Sequence, residues 1–211
     1  MEPPVTGPVA ASATIPAHLT EAGFATPPIR HRNLPRVTPD RAVEHATVLA
    51  CCLNIAGDHS KVPLKLWQRQ DGQDVRVREH PATYLLNVES SEGIPAKVAR
   101  FAAVYAYALR GNGYLYAPRN AAGELTALQI VEHNTVSLLK SGAARYYEFE
   151  DLGGVRRRVP SRSMAHLRYM AADGWSGRSP LTVAAQSMGI AMAAQDAAAR
   201  TAAGGSARGV V

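Results

Sequence analysis

The chain has 211 residues and a formal net charge of +6, long enough for one good core or two small domains with no need of a metal or disulfides to hold the fold. Hydrophobic residues make up 46%, but alanine inflates that share and only 6% of residues are aromatic, so the expected core is Leu, Val and packed Ala. The mild basicity fits a nucleic-acid partner without requiring one, and the only cysteines, Cys51 and Cys52, are adjacent, which makes a disulfide between them strained and points to a reducing compartment.

Residues 1–38 hold prolines at 3, 4, 8, 16, 27, 28 and 35. They lack a charged start followed by an apolar run, so they read as a disordered arm and not as a secretory signal. The most apolar window, 98–109, is interrupted by Arg100 and is shorter than the roughly 20 apolar residues that cross a bilayer. A soluble protein with no membrane partner is expected.

From Pro39, with Thr38 as N-cap, Val43, Ala46, Thr47, Ala50 and Leu53 recur at helical spacing, and the helix is expected to end near Gly57. Val62, Leu64 and Leu66, then Asp71-Gly72, then Val75 and Val77 predict a two-stranded hairpin. His80-Pro81 opens a short helix carrying Tyr84, Leu85 and Leu86, and residues 90–95 read as a loop before a helix over 96–110. Gly111-Asn112-Gly113 stops that helix, and Gly111 is expected in a conformation that favours glycine.

Short strands follow at 114–118, 125–131, 135–140, 145–150, 155–159 and 164–168, joined mostly by glycine or asparagine turns. Asp173-Gly174-Trp175-Ser176-Gly177 is a turn that delivers Ser179-Pro180 to a last helix running to about Ala203. Gly177 is a second position expected in a backbone conformation that favours glycine. Ten of the twenty residues from 184 to 203 are alanine, giving high helix propensity and a smooth surface for close helix approach. Leu181, Ala185, Met188 and Met192 form one apolar stripe, expected to stand partly exposed and to serve subunit packing. The fold class is α+β, with short antiparallel strands, packed helices and a long Ala-rich helix at the end.

Little in the chain suggests catalysis or a cofactor. No phosphate-binding glycine loop occurs, and the seven histidines lack metal-ligand spacing. Around Ser176 the G-x-S-x-G spacing of a nucleophile elbow is missing. No metal, no cofactor and no enzymatic centre are therefore expected. Arg156, Arg157 and Arg158 are the densest basic cluster; they read either as a solvated strand, favoured because alternate side chains diverge, or as contacts to phosphates.

Taken in order, several segments resemble the portal-protein family of siphovirus-type tailed phages and gene transfer agents. Residues 48–56 leading through Val62-Pro63-Leu64 into Lys65-Leu66-Trp67 resemble the family's opening helix and following strand. His80-Pro81 and Leu85-Leu86 fall at the family's distance, although Asn87-Val88-Glu89 replaces the usual Pro-Asn. Leu109-Arg110-Gly111-Asn112-Gly113-Tyr114 resembles the "GNAY" element, with Gly113 where alanine is usual. Gly123-Glu124-Leu125, Leu128 and Tyr146 fall in the β-rich stretch; Ala165-His166-Leu167-Arg168 is similar to the "LH-R" strand and residues 173–181 to the "DG-x-x-G-x-SPL" turn. Residues 205–211 resemble the family's "NGA-x-x-GVL" exit.

The resemblance implies a structural motif of Gly111, Asn112, Gly113, His166, Asp173, Gly174, Gly177, Ser179 and Pro180. It also implies a division into a Pro-rich arm over 1–38, a wing-like domain over 39–179, a stem-side helix over 180–205 and the start of a clip region over 206–211. Family members continue for roughly as many residues again, so a fragment or truncated copy is expected. The implied function is a non-enzymatic ring subunit, a dodecamer in the family, at one capsid vertex. Implied partners are further copies of itself, the terminase large subunit, capsid and head-tail adaptor proteins, and double-stranded DNA bound without sequence specificity. The implied location is the virion, with assembly in the bacterial cytoplasm. Two other classes stay open: a small cytosolic α+β enzyme, which would need His166, Asp173 and Ser176 to converge in a pocket, and a self-associating scaffold domain that never meets DNA.

Overall fold

The computed structural model describes residues 34–142 and 144–204; residues 1–33 of the arm expected over 1–38, and the exit segment over 205–211, lie outside the described residues. Short antiparallel strands and packed helices make up the body, which is the expected α+β class. Helix α1 (Pro39–Ala42) begins under the Thr38 cap, whose hydroxyl accepts the Arg41 amide at 3.3 Å. The expected continuous first helix is broken here. The amides of Glu44 and His45 reach back only three residues, to Arg41 and Ala42, which tightens the turn before α2 (Ala46–Lys61) restarts the helix from an extended His45.

Helix α2 also runs past Gly57 to Lys61. Its last carbonyls are held from outside: the Arg100 guanidinium donates to the Ser60 carbonyl at 2.8 Å and to the Val62 carbonyl, satisfying helix-end groups that would otherwise stop the helix earlier. Helix α2 packs on α4 (Ala96–Arg110). Cys52, Ala56 and Ser60 on one side and Ala96, Ala99 and Ala103 on the other are all buried, so small side chains let the two helices approach closely.

Strands β1 (Leu66–Gln70) and β2 (Gln73–Val77) form the expected hairpin, with Asp71 and Gly72 both at positive φ in its turn. Among the described residues, neither strand makes an extended contact with another element. The hairpin is tied down at its base by Asn87, the last residue of α3 (Pro81–Asn87). The Asn87 side chain accepts the Leu64 amide at 2.8 Å and donates to the Leu64 carbonyl at 2.9 Å, as a neighbouring strand would. The segment expected as a loop over 90–95 is itself a minute hairpin, β3 (Glu89–Ser91) with β4 (Ile94–Pro95). Gly93 turns it at φ 72°, its amide taken by the Glu89 carboxylate at 2.9 Å.

Two three-stranded antiparallel sheets complete the body. In the first, β5 (Asn112–Tyr116) lies between β10 (Met164–Arg168) and β6 (Gln129–Val131). In the second, β8 (Ala144–Glu150) lies between β7 (Ser137–Ser141) and β9 (Arg156–Pro160). Tyr114, Val131 and Met164 from the first sheet join Tyr147, Phe149 and Val159 from the second and Trp175 from a loop in one buried cluster. Aromatic residues are few, yet they are concentrated where the sheets meet, so the core there is aromatic and not the Leu-Val-Ala core that composition suggests. The alanines do their packing between the helices.

The last helix is interrupted once. Helix α5 (Pro180–Val183) and α6 (Ala185–Ala202) are separated by Ala184 at φ −93°, ψ 13°, although the Ala184 amide still reaches back four residues to the Pro180 carbonyl at 3.0 Å. Replacing Asn87 by alanine is expected to lower stability by about 1 kcal/mol and to speed amide exchange across β1 and β2, with exchange in β5 unchanged.

Candidate functional site

Three segments far apart in sequence meet at the end of α4. Gly111 ends that helix in the left-handed region at φ 79°, where glycine carries no side-chain penalty. A Cβ there would overlap the Arg178 carbonyl. Gly177 is needed for a different reason: its Cβ would overlap the Gly111 carbonyl oxygen and lie 2.8 Å from the Tyr169 amide nitrogen. Gly113 is constrained from the other side, since a Cβ would run into the Ala103 carbonyl of α4. The strand therefore sits on the helix with backbone against backbone.

Asn112, buried among these glycines, pairs with Gly177 in both directions. Its Oδ1 accepts the Gly177 amide at 2.7 Å and its Nδ2 donates to the Gly177 carbonyl at 2.8 Å. The same Oδ1 lies 2.8 Å from His166 Nε2. An amide oxygen only accepts, so Nε2 carries the imidazole proton and Nδ1 is an acceptor. Nδ1 accordingly takes the Tyr147 hydroxyl at 2.9 Å and Arg168 Nε at 3.0 Å. Arg168 also donates to the Tyr147 oxygen and to the Trp175 carbonyl, each at 3.0 Å. Each donor in this chain of bonds meets an acceptor, the condition under which a buried polar cluster rigidifies a core.

The turn carries its own support. Asp173 Oδ1 accepts the amides of Trp175 and Ser176, both at 2.8 Å, and Gly174 sits at φ 66°. The buried Trp175 ring lies 5.1 Å from Tyr147, with the guanidiniums of Arg145 and Arg168 at 4.7 and 5.5 Å from its centroid. Ser179 donates from its hydroxyl to the Leu109 carbonyl at 2.9 Å and caps Leu181 at 3.2 Å, with Pro180 at the first helical position. Gly111, Asn112, Gly113, His166, Asp173, Gly174, Gly177, Ser179 and Pro180 are thus brought together. Sequence reasoning does not find the parts played by Tyr147, Arg168 and Tyr169; the ARYYEFE alternation of β8 marks Tyr147 as inward-facing, but nothing local marks its hydroxyl partner.

Burial and the nearby Arg168 charge lower the His166 pKa from the ordinary 6.5 to about 3. Both of its ring nitrogens are engaged by Asn112, Tyr147 and Arg168, while Asp173 serves backbone amides. A Ser176–His166–Asp173 relay is therefore not assembled. Among the described residues, no group of three His, Cys, Asp or Glu could hold a metal ion.

Arg156, Arg157 and Arg158 extend along β9, each paired with a carboxylate, three guanidiniums sharing two acidic side chains. Arg156 and Arg158 both reach the Glu148 carboxylate at 2.7 Å, and Arg157 pairs with Asp151. These pairs hold both carboxylates below their usual range. In the apolar stripe of the last helix Ala185 and Met192 are buried while Leu181 and Met188 are half-buried, so the stripe is covered in part and exposed in part. Val183 and Ile190, at 53% and 54% exposure, are the large apolar side chains on the outer face. From Ala194 onward every described residue of the helix is exposed.

A family model described as phage portal protein matches residues 46–211. Among solved structures, the chain is similar to one from the neck of an empty GTA particle computed with C6 symmetry, with a TM-score of 0.62 at 22% identity over 93% of this chain and 52% of that one. It is also similar to a chain of the virion of a native gene transfer agent particle, with a TM-score of 0.59 at 18% identity over 92% of this chain and 50% of that one. The chain spans about half the length of these matches. No curated protein matches.

Alanine at Gly111 or at Gly177 is expected to cost about 2–4 kcal/mol, read from denaturant midpoints. Alanine at Gly72, where φ is 80° but nothing lies within 4 Å, should cost about 1 kcal/mol. Nitrogen NMR of His166 should show a neutral Nε2–H imidazole down to about pH 3. Because the folded value lies below the unfolded one, the His166 contribution to stability is complete above pH 6.5 and is lost as pH falls toward 3. His166→Gln should flatten stability across that window.

Proposed function

Because this chain belongs to the phage portal protein family, we propose that it supplies one subunit, or the first half of one, to a portal ring through which double-stranded DNA enters and leaves a capsid. The observation that carries this is the family match over residues 46–211. In this reading residues 39–179 are the wing, 180–205 the stem-side helix and 206–211 the start of the clip, with 1–38 as an arm. The work is mechanical and electrostatic, with no bond-making step. The partners are further copies of the chain in a ring of twelve, the terminase large subunit, capsid and head-tail adaptor proteins. The protein assembles in the bacterial cytoplasm and resides at the virion's portal vertex.

Surface chemistry supports assembly. Leu49, Leu53 and Ile55 on α2, Val62, Leu64 and Trp67 between α2 and the hairpin turn, and Ile190 on α6 are all exposed, and exposed apolar side chains gain from being covered by another surface. Leu181, Ala185, Met188 and Met192 would then serve subunit packing indirectly, by seating α6 so that its outer face meets a neighbour. Arg156, Arg157 and Arg158 could meet phosphates through the guanidinium edges that Glu148 and Asp151 leave free. Their existing ion pairs favour a second reading, a self-associating scaffold domain with no DNA partner.

Sedimentation velocity and DNA retention test both. The purified chain is expected to self-associate, and truncation after Pro180 to make it more monomeric; a monomer at high concentration overturns the ring assignment. DNA retention should be independent of sequence and fall with salt. Replacing all three arginines by glutamine should reduce the slope of log affinity against log salt by about 0.9 for each phosphate that is no longer neutralised. Self-association without any retention at low salt leaves the scaffold reading.

A further inference from the structure

Helix α6 is held to the body by little of the body itself. Its buried residues, Ala185, Gly189 and Met192, share one face, yet among the described residues its one extended contact with another helix or strand is with α5, the turn that precedes it. The N-terminal segment helps to cover that face. A Cβ placed at Gly189 would lie 3.5 Å from Leu34 Cβ, 3.5 Å from the Pro35 carbonyl oxygen and 3.7 Å from Leu34 Cδ1, so residues 34 and 35 lie directly across the helix.

That segment is anchored at its other end. Thr38 caps α1, Ala42 is fully buried, and Asp40 forms a 2.7 Å ion pair with Arg110 at the end of α4. Arg110 immediately precedes Gly111, so the anchor sits beside the glycine junction. Pro35 has no amide hydrogen, and the segment therefore crosses α6 by side-chain and carbonyl contact.

We propose that residues 34–38 are a strap that fixes the direction in which α6 leaves the body, with Gly189 as its seat. The strap is the removable part of the contact, and its displacement frees α6 as a unit while the sheets and the α2–α4 pair stay in place. The seat needs a small residue and not glycine itself, since an alanine Cβ would be in ordinary van der Waals contact. This inference stands on contacts within one chain and does not depend on the portal assignment.

The test uses the full 211-residue chain. Leu34→Cys with Gly189→Cys, in a Cys51→Ser, Cys52→Ala background, places two Cβ atoms 3.5 Å apart, within the range that a disulfide spans. Mild oxidation is expected to give an intrachain crosslink, seen by mass and by mobility on a non-reducing gel, and to slow amide exchange across Ala185–Ala202 relative to the reduced protein. In the native background, Leu34→Asp and Gly189→Phe should speed exchange in α6 at least roughly tenfold with β5 and α4 unchanged, while Gly189→Ala should leave it as it is. Failure to crosslink within a chain, or crosslinking with no slowing of α6, overturns the proposal. So does unchanged α6 exchange in both Leu34→Asp and Gly189→Phe. If either of those variants loosens the whole fold, the comparison of oxidised with reduced protein decides alone.

Discussion

The fold depends on two backbone segments, far apart in sequence, approaching more closely than a side chain permits. Gly111 and Gly177 face each other with no room for a Cβ on either, and the Asn112 amide fills the gap with a two-way bond to Gly177. The Gly111 carbonyl takes the Tyr169 amide at 2.8 Å and the Tyr169 carbonyl takes the Arg178 amide at 2.6 Å. The end of β10 and the turn after Trp175 are thereby fixed to the end of α4. Where α5 begins is a consequence of this junction, because Ser179 caps α5 and donates to the Leu109 carbonyl in the last turn of α4.

The second layer of the same constraint is polar. Desolvating an imidazole, an amide and a phenol in an aromatic cluster is costly unless each finds a partner. Here the neutral His166 stands at the centre of the network: it donates to Asn112 and accepts from Tyr147 and Arg168. Charging the ring would replace an accepting Nδ1 by a donor facing two donors. The bonds and the low pKa therefore have one cause, a site organised around a neutral ring. That is the chemistry of a structural staple, since a proton relay needs a nitrogen free to exchange.

Much of this is legible in the sequence. The helix over 96–110, the hairpin around Asp71-Gly72 and the strand over 164–168 follow from periodicity and turn chemistry, and Gly111 announces itself as a helix stop. The family resemblance brings together the segments around Gly111, His166 and Gly177, because they recur in a fixed order. Other features depend on partners that local sequence does not name. Helix α2 outlasts Gly57 because Arg100, distant in sequence, satisfies its last carbonyls. The first helix breaks after Ala42 without proline or glycine, and the last breaks at an alanine. A residue marked only as a departure from the family pattern, Asn87, ties down the hairpin. The burial of Ala185, Gly189 and Met192 reflects cover from elsewhere in the fold, with Leu34 and Pro35 lying over Gly189. Helical periodicity identifies such an apolar face without saying what covers it.

Stability is distributed unevenly as a result. Around the glycine junction, backbone contact, the Asn112–His166–Tyr147–Arg168 hydrogen bonds and aromatic packing reinforce one another. The periphery is held by fewer connections: the β1–β2 hairpin by the Asn87 side chain at its base, and α6 by the turn at Ser179 and the segment across Gly189. A two-stranded hairpin alone is marginal in water, and the exposed end of α6 has only its own alanine-rich helix propensity. Both elements carry exposed apolar side chains, Trp67 and Val75 on one and Ile190 on the other. Further contacts would stabilise these two elements more than any other part of the molecule, because they have the most to gain from being covered. A rigid body with two under-supported extensions is an arrangement in which association with another surface can order the extensions without disturbing the body, and the glycine junction is what keeps those two responses separate.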